Sequence, residues 1–168
     1  MRLNSFENMF IDQLNDLYSA EKQLVAALPK LAEAASTPQL KQAFQNHLEQ
    51  TQGHMQTVEQ LLTGMNEKAG GHKCKGMEGL IEEGKEVIGK RGDSKVKDAA
   101  LIAAAQKCEH YEIAGYGSAR TFAQNLGYTQ AVDMLQRILD QEGETDKLLT
   151  ALATGQGSPV AINEQATR

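Results

Sequence analysis

Tryptophan is absent, proline occurs three times and cysteine twice among the 168 residues. No apolar run approaches the roughly 20 residues that a membrane span requires. Each scarcity excludes something. Two cysteines, Cys74 and Cys108, are too few for a disulfide framework and point to a reducing cytoplasm. Met1–Asn15 lacks the layout of a signal peptide. A net charge of -5 leaves no basic footprint for nucleic acid or an anionic membrane. A nucleophile–base signature is missing too, and the loop GMNEKAGG leads to no P-loop lysine followed by serine or threonine. No solenoid-like repeat is present.

What is present favours helix. Ala, Leu, Gln, Glu and Lys are abundant and β-branched residues few. Four long amphipathic segments follow one another. The first, from about Ser5 to Ala35, carries the stripe Phe6, Phe10, Leu14, Leu17, Glu21, Leu24, Leu28, Leu31 and Ala35, with a bend expected at Pro29. Ser36-Thr37-Pro38 reads as a break, a capping hydroxyl and a first-turn proline. The second runs to about Leu62, with Leu40, Phe44, His47, Thr51, His54, Val58, Leu61 and Met65 on one side. After a loop at 64–75 comes a short helix presenting Met77, Leu80, Ile81 and Ile88; Asp93 or Ser94 then caps the third segment.

That segment, about Lys95 to Asn125, has Leu101, Ala105, Cys108, Glu112, Gly115, Ala119, Phe122 and Leu126 inward. Gly127 ends it and Thr129 caps the fourth, whose stripe is Val132, Leu135, Leu139, Glu142, Asp146, Leu149 and Ala153. Short breaks after the first and third segments force two antiparallel hairpins. The expected fold is therefore an all-α four-helix bundle over residues 1–154, with an extra short helix in the crossover. The aperiodic stretch 155–168 is expected to be a mobile tail.

Every long stripe turns polar in its middle. Glu21 lies fifteen positions before residue 36 and Thr51 fifteen after it; Glu112 and Glu142 lie fifteen on either side of 127. In an antiparallel hairpin equal counts mean equal height, so each hairpin brings its polar residues to one level. His54 is nearly level with Asp146 by the same count, whereas His47 lies nearer the loop end and reads as a supporting histidine. Gln50 sits on the flank of the second stripe. Four buried carboxylates require neutralisation, because desolvation costs several kcal/mol per ion and like charges raise one another's pKa. Cations or protons must supply it. Carboxylates with imidazole suit iron, manganese or zinc; protonated His47 and His54 paired with Glu112 or Glu142 would instead form a metal-free polar layer.

Smaller features have plainer readings. Tyr18 and Tyr111 pack beside the core or reach the carboxylates; Glu109 and His110 flank the third stripe, and Glu49 faces away. Cys108 and the six methionines are packing, and His72-x-Cys74 is a solvated loop, since two ligands do not make a zinc site.

The segments LYSAEKQL, MEGLIEEGKEVI and DAALIAAAQKCEHYEIAGYG, with the spacing of Glu142 to Asp146, resemble the YciE/YciF family of bacterial stress proteins, nearer its YciE branch. That family is ferritin-like, and the resemblance spans Phe6 to Ala153. It implies a rubrerythrin-like bundle, a homodimer and a role in stress response. The superfamily's metal pattern is one Glu on the first and third helices and Glu-x-x-His on the second and fourth. It falls on Glu21, Glu112 and Glu142, but Thr145 occupies one histidine position, with Asp146 beside it. On the second helix Gln50 and Gly53 occupy the two positions, with His54 beside the latter. The first reading is therefore an iron or manganese site of Glu21, His54, Glu112, Glu142 and Asp146, with Gln50 and His47 as weaker ligands, Glu112 or Glu142 bridging, and redox chemistry on peroxide or oxygen. The alternative is a non-enzymatic stress protein acting through self-association or partner binding, for which the outward-facing Gly53 and Gly117 would admit another helix closely.

Overall fold

A computed structural model describes residues 4–167. Met1 to Leu3, within the stretch that lacks a signal-peptide layout, and Arg168, the end of the expected tail, lie outside the described residues. Six helices follow in order: α1 Phe6–Ala34, α2 Pro38–Gly64, α3 Lys75–Gly89, α4 Ser94–Leu126, α5 Thr129–Thr154 and α6 Ile162–Ala166. The termini show why the chain divides there. Ser5 Oγ accepts the amide of Asn8, and Asp93 Oδ1 accepts those of Lys95 and Val96, satisfying donors at the starts of α1 and α4. Cys74 Sγ does the same for Met77 at the start of α3. At Gly127 the backbone turns left-handed, φ 75°, which a side chain would resist, and α4 stops.

Two caps differ from expectation. Thr37 precedes α2, but its hydroxyl does not cap that helix. It donates to Asp98 Oδ2 at 2.5 Å, and Asp98 also accepts both backbone amides of Ser36 and Thr37 and the Ser36 hydroxyl, each at 2.8 Å. A carboxylate from α4 thus ties down the α1–α2 turn, and it binds the donors more strongly than a neutral hydroxyl would. Thr129 is the first residue of α5 rather than its cap, and Tyr128, without a capping side chain, precedes it. Helix α1 continues through Pro29.

Helix α1 packs beside α2 and α4, and α5 beside α4 and α2. The Asp98 contacts put the start of α4 at the α1–α2 turn. At the other end Phe10 meets the Tyr128 ring, with centroids 6.0 Å apart. The two hairpin turns therefore lie at opposite ends, and the connection from α2 to α4 runs the length of the bundle, with α3 against α1 and α4. At Gly115 a Cβ would come within 2.8 Å of Leu17 Cδ2, so its absence lets α4 approach α1 closely.

The stretch after Thr154, expected as an aperiodic mobile tail, carries a packed helix instead. Ile162 is fully buried and Val160 nearly so, both in the apolar cluster with Leu101, Leu149 and Leu152. A single buried turn has no periodicity to reveal it. The core itself is split. One apolar cluster holds Leu24, Leu28, Leu40, Phe44, Leu101 and Leu149; the other holds Phe10, Leu14, Leu17, Val58, Leu62 and Leu135. Between them, at mid-height, lies the polar layer.

Candidate metal centre

Glu21 of α1, His47 and His54 of α2, Glu109 and Glu112 of α4, and Glu142 of α5 meet in the bundle centre, all buried. Two groups of ligand atoms form, each within a 4.8 Å spread: Glu21, His54 and Glu142 in one, and His47, Glu109, Glu112 and Glu142 in the other. Glu142 belongs to both. Its Oε1 is 2.8 Å from His54 Nδ1, and its Oε2 is 3.9 Å from His47 Nε2. The remaining contacts are His54 Nδ1 to Glu21 Oε1 at 3.5 Å and His47 Nε2 to Glu109 Oε1 at 3.2 Å.

Close approach is not the same as satisfaction. Both oxygens of Glu112 and of Glu142, one each of Glu21 and Glu109, and the inward nitrogens of both histidines make no aligned hydrogen bond. Buried polar atoms are normally paired, so such a concentration in one layer calls for a partner beyond the chain. The electrostatics agree. Burial pushes Glu112 well above the usual carboxylate range, and the charges of Glu142, Glu21 and Glu109 push it further. Burial likewise raises Glu21, and raises Glu109 to about 8 although His47 opposes this. Burial alone would lower the histidines, but Glu109 holds His47 up at about 9, and Glu142 with Glu21 holds His54 up at about 10. Burial would raise Glu142 too, yet His54 and His47 keep it below its ordinary value. Without an added cation, protons gather on this layer.

Neighbouring side chains orient the donors. Tyr116, fully buried, donates its hydroxyl to Glu21 Oε1, and His54 Nε2 is 2.8 Å from Gln141 Oε1. Thr145 Oγ1 is 3.4 Å from both His47 Nδ1 and Gln50 Oε1. Thr51 instead returns its hydroxyl to the His47 carbonyl.

Asp146 is not in the centre. It is half-buried and turned towards α4, where Gln106 Nε2 donates to it at 2.9 Å and His110 Nε2 lies 3.4 Å away. A step of four residues from Glu142 rotates about 40° past the axis of the site, and a step of three about 60° short of it; the packing of α5 puts Thr145 inside. Gln50 is half-buried and touches the layer only through Thr145. His47 joins the convergent atoms on the same footing as His54.

Two members escaped prominence in the sequence. Glu109 reads as a flank there, although Glu-x-x-Glu at 109 and 112 puts two carboxylates on one helical face. Tyr116 has no signal beyond one turn's spacing from Glu112. Tyr111, by contrast, bonds Asp16 and Cys74, with Cys74 Sγ 2.9 Å from its hydroxyl and His72 Nε2 3.0 Å from Asp16 Oδ1. Tyr18 packs against the apolar cluster around Phe10.

Fold and centre together define a ferritin-like four-helix bundle whose buried His/Glu layer has the donor set of a metal site. The chain belongs to the family described as Domain of unknown function (DUF892), which matches residues 5–165. It is 48% identical over 165 residues to protein YciF of Escherichia coli K12, covering 98% of this chain and 99% of that one. The relative is thus a YciF, where the sequence resemblance leans towards the YciE branch. The crystal structure of the E. coli stress protein YciF superposes with a TM-score of 0.88 at 47% identity, covering 99% of this chain and all of that one. YcfI of Rhodopseudomonas palustris follows, with a TM-score of 0.86 at 36% identity over 90% of this chain and 96% of that one. A dodecameric thioferritin of Bacteroides fragilis, at 18% identity and TM-score 0.71 over 96% of this chain and 92% of that one, shares the fold. Among the described residues no helix is long and apolar enough to cross a membrane.

Proposed function

We propose that this chain is a ferritin-like stress protein that binds one or two iron or manganese ions in its centre. Glu21 and His54 would hold an ion at one position and His47, Glu109 and Glu112 at the other, with Glu142 contributing to both. The observation that carries this reading is Glu142 itself: one carboxylate shared by two convergent donor groups, its Oε1 2.8 Å from His54 Nδ1 and its Oε2 3.9 Å from His47 Nε2, with neither oxygen making an aligned hydrogen bond. Glu109 supplies the carboxylate that Gln50 lacks. Oxygen and imidazole donors without thiolate favour iron or manganese over softer metals.

When bound, these ions supply one-electron redox chemistry towards peroxide or oxygen. The chain's own part is to hold them. Tyr116 steadies Glu21 and Gln141 steadies His54, while the apolar clusters on either side keep water from the donors, so their charges act at low dielectric. To hold a cation, the imidazole and carboxyl groups of the layer would give up protons, as metal binding to such groups requires. The protein acts in the cytoplasm, as a homodimer packed through the Gly117 face of α4, where a Cβ would meet no atom within 4 Å.

Anaerobic titration with Fe(II) or Mn(II), desalting and elemental analysis test the centre. The expected result is one to two ions per chain, lost in Glu142→Ala. Absence of retained metal overturns the reading in favour of a metal-free scaffold in which imidazolium–carboxylate contacts fix the helix register. Light scattering should give twice the 18.3 kDa chain mass; a monomer or a many-subunit shell contradicts the dimer.

A further inference from the structure

A surface depression reaches His54 at the edge of the centre. Between α2 and α5 lies a groove of about 700 Å³, walled by Gln50, Gly53 and Thr57 on one side and Ile138 and Gln141 on the other, with His54 at its floor. The His54 ring is the partition. Its Nε2 faces Gln141 Oε1 at 2.8 Å, while its Nδ1 faces Glu142 and Glu21 inside. Since an amide oxygen only accepts, Nε2 carries the hydrogen, and the inner nitrogen is the one left to meet a cation. Gly53 lines the groove, and a Cβ there would meet nothing within 4 Å, so a side chain at this position would stand in open space.

We propose that this groove is the port of the centre, through which hydrated divalent cations pass, and that the His54–Gln141 hydrogen bond is its latch. The inference rests on the metal reading above. The groove suits its occupant. Glu49 and Arg137 in its lining offset one another in charge, and the amides of Gln50 and Gln141 offer oxygens to an ion that is shedding water on its way to the carboxylates. Swinging the imidazole aside breaks the hydrogen bond to Gln141 together with the Nδ1 contacts to Glu142 and Glu21, and opens the bundle at the level of Glu142. Gln141 is thus a positioning residue: it holds the imidazole in the orientation and tautomer that bind metal, and it closes the way in.

The test blocks the groove after folding. Gly53→Cys is prepared and loaded with cobalt(II) anaerobically, before and after capping with a bulky maleimide; the native Cys74 and Cys108 are buried, and mass analysis locates the label. Capping should slow the growth of the cobalt(II) absorption at least about tenfold and leave its final amplitude unchanged. Gln141→Leu should fill faster than the parent yet bind about 10–100-fold more weakly, as loss of a hydrogen bond to a metal-binding histidine does. A glutamine that served only packing would leave the filling rate alone. Equal rates in capped and uncapped protein overturn the port while leaving the centre standing. Resistance of position 53 to the label also overturns it, since a second copy then covers the groove. If no form takes up cobalt, the centre falls and the port with it.

Discussion

Helix α4 buries two acidic residues completely, Asp98 and Glu112, and treats them in opposite ways. Asp98 accepts hydrogen bonds from two backbone amides and two hydroxyls. Glu112 accepts none, and three further carboxylates share its layer. A buried carboxylate kept for architecture is saturated by the chain, since its desolvation must be offset by hydrogen bonds where it stands. One left with empty lone pairs among like charges is suited to take up a proton or a cation. The difference separates the end of the bundle, which is a fastening, from its middle, which has the character of a receptacle.

The comparison breaks first at Asp98. Asp98→Ala strands the amides of Ser36 and Thr37 and both hydroxyls at the α1–α2 turn. The expected loss is about 2–4 kcal/mol, read from the urea midpoint, because buried donors robbed of a charged acceptor carry their desolvation cost. A loss under about 1 kcal/mol would mean water replaces the carboxylate, and Asp98 would then be no fastening.

Glu112→Leu should act with the opposite sign. It strands no donor, removes a carboxyl that burial disfavours and supplies apolar volume. With chelator present the protein should gain about 1–3 kcal/mol, while metal uptake falls. Destabilisation of similar size, with no effect of metal on the parent's midpoint, would place Glu112 with Asp98 as scaffold.

The protons on the layer spread a third effect across pH. His54, held at about 10 once Glu142 and Glu21 have outweighed burial, contributes stability fully present below 6.5 and lost as pH rises through 10. Glu109, raised by burial to about 8, contributes stability present below 4.5 and lost through 8. Both act in one direction, so chelated protein should weaken steadily from neutral pH to pH 10. Metal-loaded protein, whose cations replace those protons, should weaken less over the same range. Parallel pH curves with and without metal would refute the replacement.

Most of the architecture was legible because it rests on repetition. Eight turns of one stripe survive local exceptions, and counting from the turns located the polar level without any structure. What escaped was non-repetitive. Helix α6 is a single turn buried by Val160 and Ile162. Thr37 carries a capping hydroxyl, but the turn's donors are claimed by a carboxylate 61 residues away. In the centre, the stripe gave Glu21, Glu112 and Glu142, yet the choice of neighbours depended on helix rotation within about 40–60°, finer than spacing resolves. Glu109 therefore stood on a flank in the sequence and lies inside in the structure, and Asp146 did the reverse.

Asp146 supplies the smallest expected effect and the finest test of that rotation. Its partners are Gln106 and a solvent-exposed His110, and a half-buried pair of this kind contributes little after screening and side-chain ordering. Asp146→Ala should cost less than about 1 kcal/mol and leave the number of bound ions and their affinity unchanged. Thr145 stands where the ferritin-like pattern has a histidine, with its hydroxyl 3.4 Å from His47 Nδ1. Thr145→Val, which keeps the shape and removes only that hydroxyl, should weaken metal binding while Asp146→Ala does not. Loss of metal in Asp146→Ala would require α5 to rotate on loading so that the carboxylate comes inward. The pairing with Gln106 would then be a feature of the ion-free state alone, and the line between fastening and receptacle would shift by one residue along α5.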